Sequence, residues 1–99
     1  MDFKVTLGPL SLADLEGIVR YVARHDPPAA GRLGNRLLDQ AESLAQFPHR
    51  GGNVRRRPGV RKLLHPPYLI FYRVNEPARS VEVLRFWHGA RDERSERLD

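Results

Sequence analysis

The residues with chemistry in them gather in the second half of the chain. Arg61, Lys62 and His65 fall in one strand-like stretch, Tyr68, Tyr72 and Arg73 in the next, Arg85, Trp87 and His88 in the last, and Arg91 just after it. Neighbouring strands bring such groups within several ångströms of one another. Arginine and lysine can hold a scissile phosphate and offset its extra charge, while His88 or a tyrosine moves protons on a 2′-hydroxyl and a leaving oxygen. The set therefore has the makings of an RNA-cleaving site. The same residue types also have a plainer use, because Tyr68, Tyr72 and Trp87 can pack a core and His88 can satisfy a hydrogen bond at a strand end.

Other chemistries fall away. His25, His49, His65 and His88 form no HxxxH pair and no HExxH motif and have no carboxylate at ligand spacing, so no metal site is expected. Ser11, Ser43, Ser80 and Ser95 lie in no GxSxG-like elbow. Gly51-Gly52 lacks the lysine and hydroxyl of a phosphate-binding loop. No cofactor is implied. With 0 cysteines, disulfide scaffolds, thiolate zinc sites, iron–sulfur clusters and cysteine nucleophiles are all excluded, and a reducing cytoplasm is the expected location. The start, Met1-Asp2-Phe3-Lys4, carries no secretory pattern, and the longest apolar run, Tyr68 to Tyr72, is far too short for a membrane span.

The 99 residues are enough for one domain, read as residues 1–99 with 89–99 a charged tail, and 40% apolar against 29% charged residues fits a folded core. A domain this small hides only roughly two thirds of its unfolded surface, so a partner that covers more would be useful to it. The net charge of +5 is unevenly spread. From Arg50 to Arg73 there are seven basic residues (Arg50, Arg55, Arg56, Arg57, Arg61, Lys62 and Arg73) and no acid, which leaves 10 basic and 12 acidic residues, or −2, elsewhere. Such a segment attracts polyanions or an acidic protein. A basic nucleic-acid-binding module is one reading, for which charge reversal at Arg55, Arg56 and Arg57 would lower the salt slope of DNA binding by about one unit per lost phosphate contact.

These side chains need elements to position them. Phe3, Val5 and Leu7 alternate with polar residues as in a strand that Gly8-Pro9 ends. Ser11 as N-cap, with Asp14 three residues on as a capping-box acid, predicts a first helix to about His25, with Leu12, Leu15, Ile18, Val19 and Val22 inward. Asp26-Pro27-Pro28 stops it and opens a second helix, with a buried stripe of Ala30, Leu33, Leu37, Ala41 and Leu44, ending before Pro48. His49 to Gly59 reads as an exposed basic loop. Strands follow at Val60–Leu64, Tyr68–Val74 and Val81–Trp87, the middle one apolar on both faces. The order β-α-α-β-β-β predicts an α+β domain, a helical hairpin packed on a small, mostly antiparallel sheet.

The segments LADLEGIVRYVARHDPPAA, FPHRGG, GVRKLLHPPYLIFYRV and VEVLRFWHGARD together resemble the RelE/ParE superfamily of bacterial type II toxins, from about Phe3 to Asp92. The resemblance implies the same β-α-α-β-β-β fold and a toxin neutralised by a cognate antitoxin, whose acidic C-terminal segment wraps the toxin and orders on binding. RelE-like members are ribosome-dependent mRNA interferases. ParE-like members poison DNA gyrase and serve in plasmid stabilisation. Alignment with the interferase strands puts Leu69 where an interferase has a catalytic arginine and Val60 where it has a lysine, and its C-terminal tyrosine falls near Arg97. Lys62 and Arg91 match basic catalytic positions. An interferase reading of this chain would use Lys62, His88 and Arg91, acting on mRNA at the ribosome. The DPPAA turn and the HGARD ending resemble the ParE-like branch, so the expected target is DNA gyrase.

For recognition of target or antitoxin the residues expected are Arg61, Arg73, Arg85 and Arg91, with the loop arginines Arg55, Arg56 and Arg57. Strict alternation would put Arg85 with Val81, Val83 and Trp87, and His88 with Glu82, Leu84 and Phe86, unless the strand bulges between them. Arg61, Arg73 and Arg85 are expected to share one positive surface. As charges at a sheet rim, Arg85 and Arg91 are expected to contribute little to stability.

Overall fold

A computed structural model describes residues 2–91 of the chain. The elements are β1 (Lys4–Leu7), α1 (Pro9–Ala23), α2 (Pro27–Glu42) with a 3₁₀ turn (Ser43–Ala45), β2 (Gly52–Asn53), β3 (Val60–His65), β4 (Tyr68–Asn75) and β5 (Ser80–His88). The five strands form one sheet in the order β1-β5-β4-β3-β2. All neighbours are antiparallel except β1 and β5, which run parallel with Lys4 opposite Ser80 and Leu7 opposite Val83. The expected α+β order is the one found. β2 is an addition, a two-residue strand inside the segment read as a loop, paired with Arg61 and Lys62 of β3.

The helix boundaries follow local chemistry, with one correction. Asp26 caps α2, its Oδ1 accepting the Ala29 N–H at 3.2 Å, and Pro27 takes the first turn, where a missing N–H costs nothing. Ser11, by contrast, does not cap α1. The helix opens at Pro9 with Gly8 as its N-cap residue, and the buried Ser11 hydroxyl donates to the Gly8 carbonyl at 2.8 Å. Proline's fixed φ lets the helix begin earlier than the hydroxyl suggested. Asp14 is thereby released from capping, and Leu12 turns outward, 45% exposed.

The hairpin lies on one face of the sheet, here called the inner face. Its core joins Leu37 and Ala41 of α2 to Ile70, Val83 and Phe86, continued by Leu44, Tyr72, Val81 and Phe3 near the 3₁₀ turn. Gly34 lets the helices approach closely, since a Cβ there would stand 3.1 Å from Val19 Cγ2. A smaller cluster of Val60, Phe71, Leu84 and Trp87, flanked by Val54 and Leu69, occupies the opposite, outer face. The run YLIFY is thus apolar on both faces because both faces of β4 carry a core. Among the described residues no helix is long and apolar enough to cross a membrane.

Tyr72 ties the sheet to the loop. Its hydroxyl accepts the Gly51 N–H at 2.9 Å, and a Cβ at Gly51 would lie 2.6 Å from that oxygen and 2.7 Å from the Lys62 carbonyl, so glycine is required there by close approach. Burial is the main cause that pushes the Tyr72 phenol above its usual 10.0, partly offset by the Gly51 N–H and by Arg61 and Arg50. Tyr72→Phe should leave the Gly51 N–H without its partner and cost about 1–3 kcal/mol in urea unfolding. Because the folded-state value is raised, that phenol favours folding below pH 10.0 and the benefit fades as pH climbs beyond it, when the unfolded chain ionises first. Stability should therefore drop above pH 10.0, and less steeply in Tyr72→Phe.

Candidate functional site

The outer face gathers most of the basic residues singled out by the sequence. On β3, β4 and β5 the paired positions Val60 and Arg73, Lys62 and Phe71, Leu64 and Leu69, and Leu69 and Trp87 point to this side. Trp87 is its centre. Arg85 stacks over the indole with its Cζ 4.9 Å from the ring centroid, and Arg91 does so at 4.4 Å, so two guanidiniums meet one aromatic side chain. Arg73 is exposed one strand away, opposite Glu82. Arg55 and Arg56 are exposed in the turn that leads into β3, and Arg57 is half-buried there. The indole Nε1–H is buried with no acceptor among the described residues.

The parity of β5 is decided by a bulge. Phe71 pairs with Arg85 and Tyr72 with Val83, which leaves Leu84 as an extra residue. Val81 and Val83 therefore share the inner face with Phe86 and His88, whereas Leu84, Arg85 and Trp87 turn outward. Strict alternation, which set His88 with Leu84 and apart from Val81 and Val83, is overturned at this one residue. Its consequence is chemical: His88 opens on the opposite side of the sheet from Lys62, and the two do not meet. His88 instead packs edge-on against Tyr68, ring centroids 5.4 Å apart.

Arg61 and Arg85 have structural attachments. Arg61 lies on the inner side opposite Tyr72, where its Nη1 donates to the carbonyls of Gly51 at 2.7 Å and His49 at 3.1 Å. It braces the loop and does not join the surface of Arg73 and Arg85. Arg85 grips Asp14 of α1 through Nε at 2.6 Å and Nη2 at 2.8 Å, with the two side chains only 13% and 15% exposed. The Phe86 N–H adds a third bond to Asp14 Oδ2 at 3.1 Å. That N–H lies on the edge of β5 left uncovered where β1 ends, so one carboxylate closes a strand edge and pairs a cation. Arg85 is not a rim charge, and the expectation of little stability from it is corrected for that reason. Arg91 remains one.

Sequence reasoning missed Asp14 as a site residue because its position in the first turn already had an explanation as a capping acid. The adjacent aliphatics Val83-Leu84, which break the alternation of β5, were the available signal for the bulge. Arg97, where an interferase tyrosine was sought, lies outside the described residues, as does most of the expected tail.

Comparison with known proteins adds to this geometry. The family model described as "ParE toxin of type II toxin-antitoxin system, parDE" matches residues 5–93. Toxin RelE2 of Caulobacter vibrioides is 39% identical over 82 residues, covering 82% of this chain and 89% of that protein. Toxin RelE1 of the same organism is 34% identical over 93 residues, covering 90% and 96%. Among solved structures, the chromosomal ParDE system of P. aeruginosa superimposes with a TM-score of 0.75 at 24% identity, covering 87% of this chain and 95% of that one. The RelBE2 toxin–antitoxin complex of Mycobacterium tuberculosis gives 0.69 at 23%, covering 89% and 99%. These last two establish likeness of fold.

Proposed function

This chain belongs to the ParE toxin family of type II toxin–antitoxin systems, and from that premise we propose that it arrests growth by acting on DNA gyrase in the cytoplasm until a cognate antitoxin covers it. The observation that carries the choice of target is the apolar packing of the outer face. Where the resemblance puts a lysine and an arginine in an mRNA interferase, this chain has Val60, only 2% exposed, and Leu69, both packed with Phe71 and Trp87. Neither can stabilise the charge that develops on a phosphate during cleavage, a contribution of about 3–4 kcal/mol for each lost donor in comparable sites. Lys62 and Arg91 remain on that face, but His88, the proton-transfer residue of the interferase reading, opens on the other. The basic, arginine-flanked Trp87 surface is suited to holding a partner, with arginine and tryptophan the residue types that most often anchor interfaces.

The curated relatives named RelE favour ribosome-dependent mRNA cleavage as the second reading. One experiment separates the two. Expression of the chain should arrest growth and co-expression of its cognate antitoxin should restore it. Gyrase supercoiling should fail in lysates of arrested cells while mRNA ends on ribosomes stay unchanged. Codon-phased mRNA cleavage with normal supercoiling would overturn the gyrase target, and absence of growth arrest would count against an active toxin.

A further inference from the structure

The run Arg55-Arg56-Arg57 stands in a part of the chain that carries no acid between Glu42 and Glu76. It is held on a closed turn. The Val54 N–H donates to the Val60 carbonyl at 3.0 Å, the Arg57 N–H to the Val54 carbonyl at 3.1 Å, and the Val60 N–H to the Arg57 carbonyl at 3.0 Å. Gly59, at a φ of 83°, supplies the left-handed residue that brings the chain round into β3. At the root of the turn Val54 and Val60 pack against the outer cluster of Phe71, Leu84 and Trp87. Behind it Arg61 and the Tyr72 hydroxyl fix the backbone at His49 and Gly51. A turn ordered in this way loses little conformational freedom when something binds to it.

Three cations stand at this turn. Arg55 and Arg56 are exposed on it, and Arg73, also exposed, is the β4 partner of Val60 at its root. Among the described residues no hydrogen bond or ion pair engages any of the three, whereas Arg57 and Lys62 beside them are half-buried and already engaged. Guanidinium forks match the paired oxygens of a phosphate. What surrounds them narrows the partner further. From Arg55 to Gly59 the turn offers no aliphatic or aromatic side chain except Pro58, so it lacks the apolar anchor that a protein interface is built around. Phe71 and Trp87 are only 2% and 7% exposed, so neither gives the stacking platform that unpaired bases need. Rigidly placed arginines without base-stacking groups suit the regular phosphates of a duplex.

We propose that the turn from Val54 to Val60 docks on the backbone of double-stranded DNA, with Arg55, Arg56 and Arg73 each meeting a phosphate and no base being read. The contact stands whether or not the chain acts on gyrase. Its strength comes from counterion release, so it is independent of DNA sequence and steeply dependent on salt. Lysine in place of Arg55 and Arg56 keeps most of it, because a point charge displaces a counterion as an arginine does.

The test is fluorescence anisotropy of a short labelled DNA duplex of mixed sequence, titrated with the full chain over a range of salt. With three phosphates neutralised, log K should fall against log salt with a slope of about −3, or roughly 40-fold between about 50 and 200 mM NaCl. Charge reversal by Arg55→Glu with Arg56→Glu should bring the slope to about −1 and weaken binding at low salt by at least about tenfold. Arg55→Gln with Arg56→Gln should give the same slope and serves if the reversed pair does not fold. The control is Arg32→Glu with Arg36→Glu, which makes the same change of net charge at two exposed positions of α2 and should keep the wild-type slope. An equal loss in the turn and control variants would mean that net charge alone attracts DNA, and overturns the site. So does a wild-type chain that fails to bind the duplex at low salt. A single-stranded RNA or polyglutamate that binds as tightly as the duplex overturns the choice of partner, and with it the proposal.

Discussion

Replacing Arg85 by alanine should destabilise the protein by about 3 kcal/mol, the lower end of the cost of breaking a buried ion pair from one side. For a domain of this size each kcal/mol moves the melting temperature by about 4–8 °C, so a fall of roughly 12–24 °C is expected. The reason lies in what is left behind. Asp14, 15% exposed, would keep a single bond from the Phe86 N–H and lose the bidentate grip that holds α1 to the end of β5. Trp87 would lose one of its two stacked guanidiniums. A thermal melt of Arg85→Ala beside Asp14→Ala and the double variant measures the coupling. A melting temperature within a few degrees of the wild type would mean that the pair is an ordinary surface contact. Loss of toxicity in Arg85→Ala alone is consequently no evidence that Arg85 touches a target.

Growth arrest should instead be tested with Arg73→Ala and Arg91→Ala combined. Both side chains are exposed, and among the described residues the Arg91 side chain makes a stacking contact 4.4 Å from the Trp87 centroid, worth about 0.5–1 kcal/mol at an exposed site. The double variant should melt within several degrees of the wild type and lose growth arrest altogether, since arginine is among the residue types that can cost about 2 kcal/mol or more on truncation at an interface. Induction in cells gives the first readout and a melt of the purified protein the second. Full growth arrest from a folded double variant would move the functional surface to the exposed loop arginines Arg55 and Arg56 and half-buried Arg57, whose charge reversal is the next experiment.

What the sequence determined by itself was whatever lies within a few residues. Asp26-Pro27 set the start of α2, spacing at Ala30, Leu37 and Ala41 set its buried face, and unbroken apolarity from Tyr68 to Tyr72 marked a strand with a core on both sides. Element order followed, and so did the concentration of positive charge between Arg50 and Arg73. These are properties of helix and strand periods and of capping, which act locally. The tertiary structure decided everything that depended on partners far along the chain. Asp14 meets Arg85 across 71 residues, Arg61 turns inward to carbonyls of a loop that only the closed sheet brings near it, and β1 pairs in parallel with β5 at the far end of the sequence. One extra residue, Leu84, then reverses the parity of β5, turning Phe86 and His88 to the face of Val81 and Val83 and Arg85 with Trp87 away from it. A bulge shifts every later side chain to the opposite face, so the division of this protein into a basic outer face and an inner face that carries His88 was fixed only when the strands had paired.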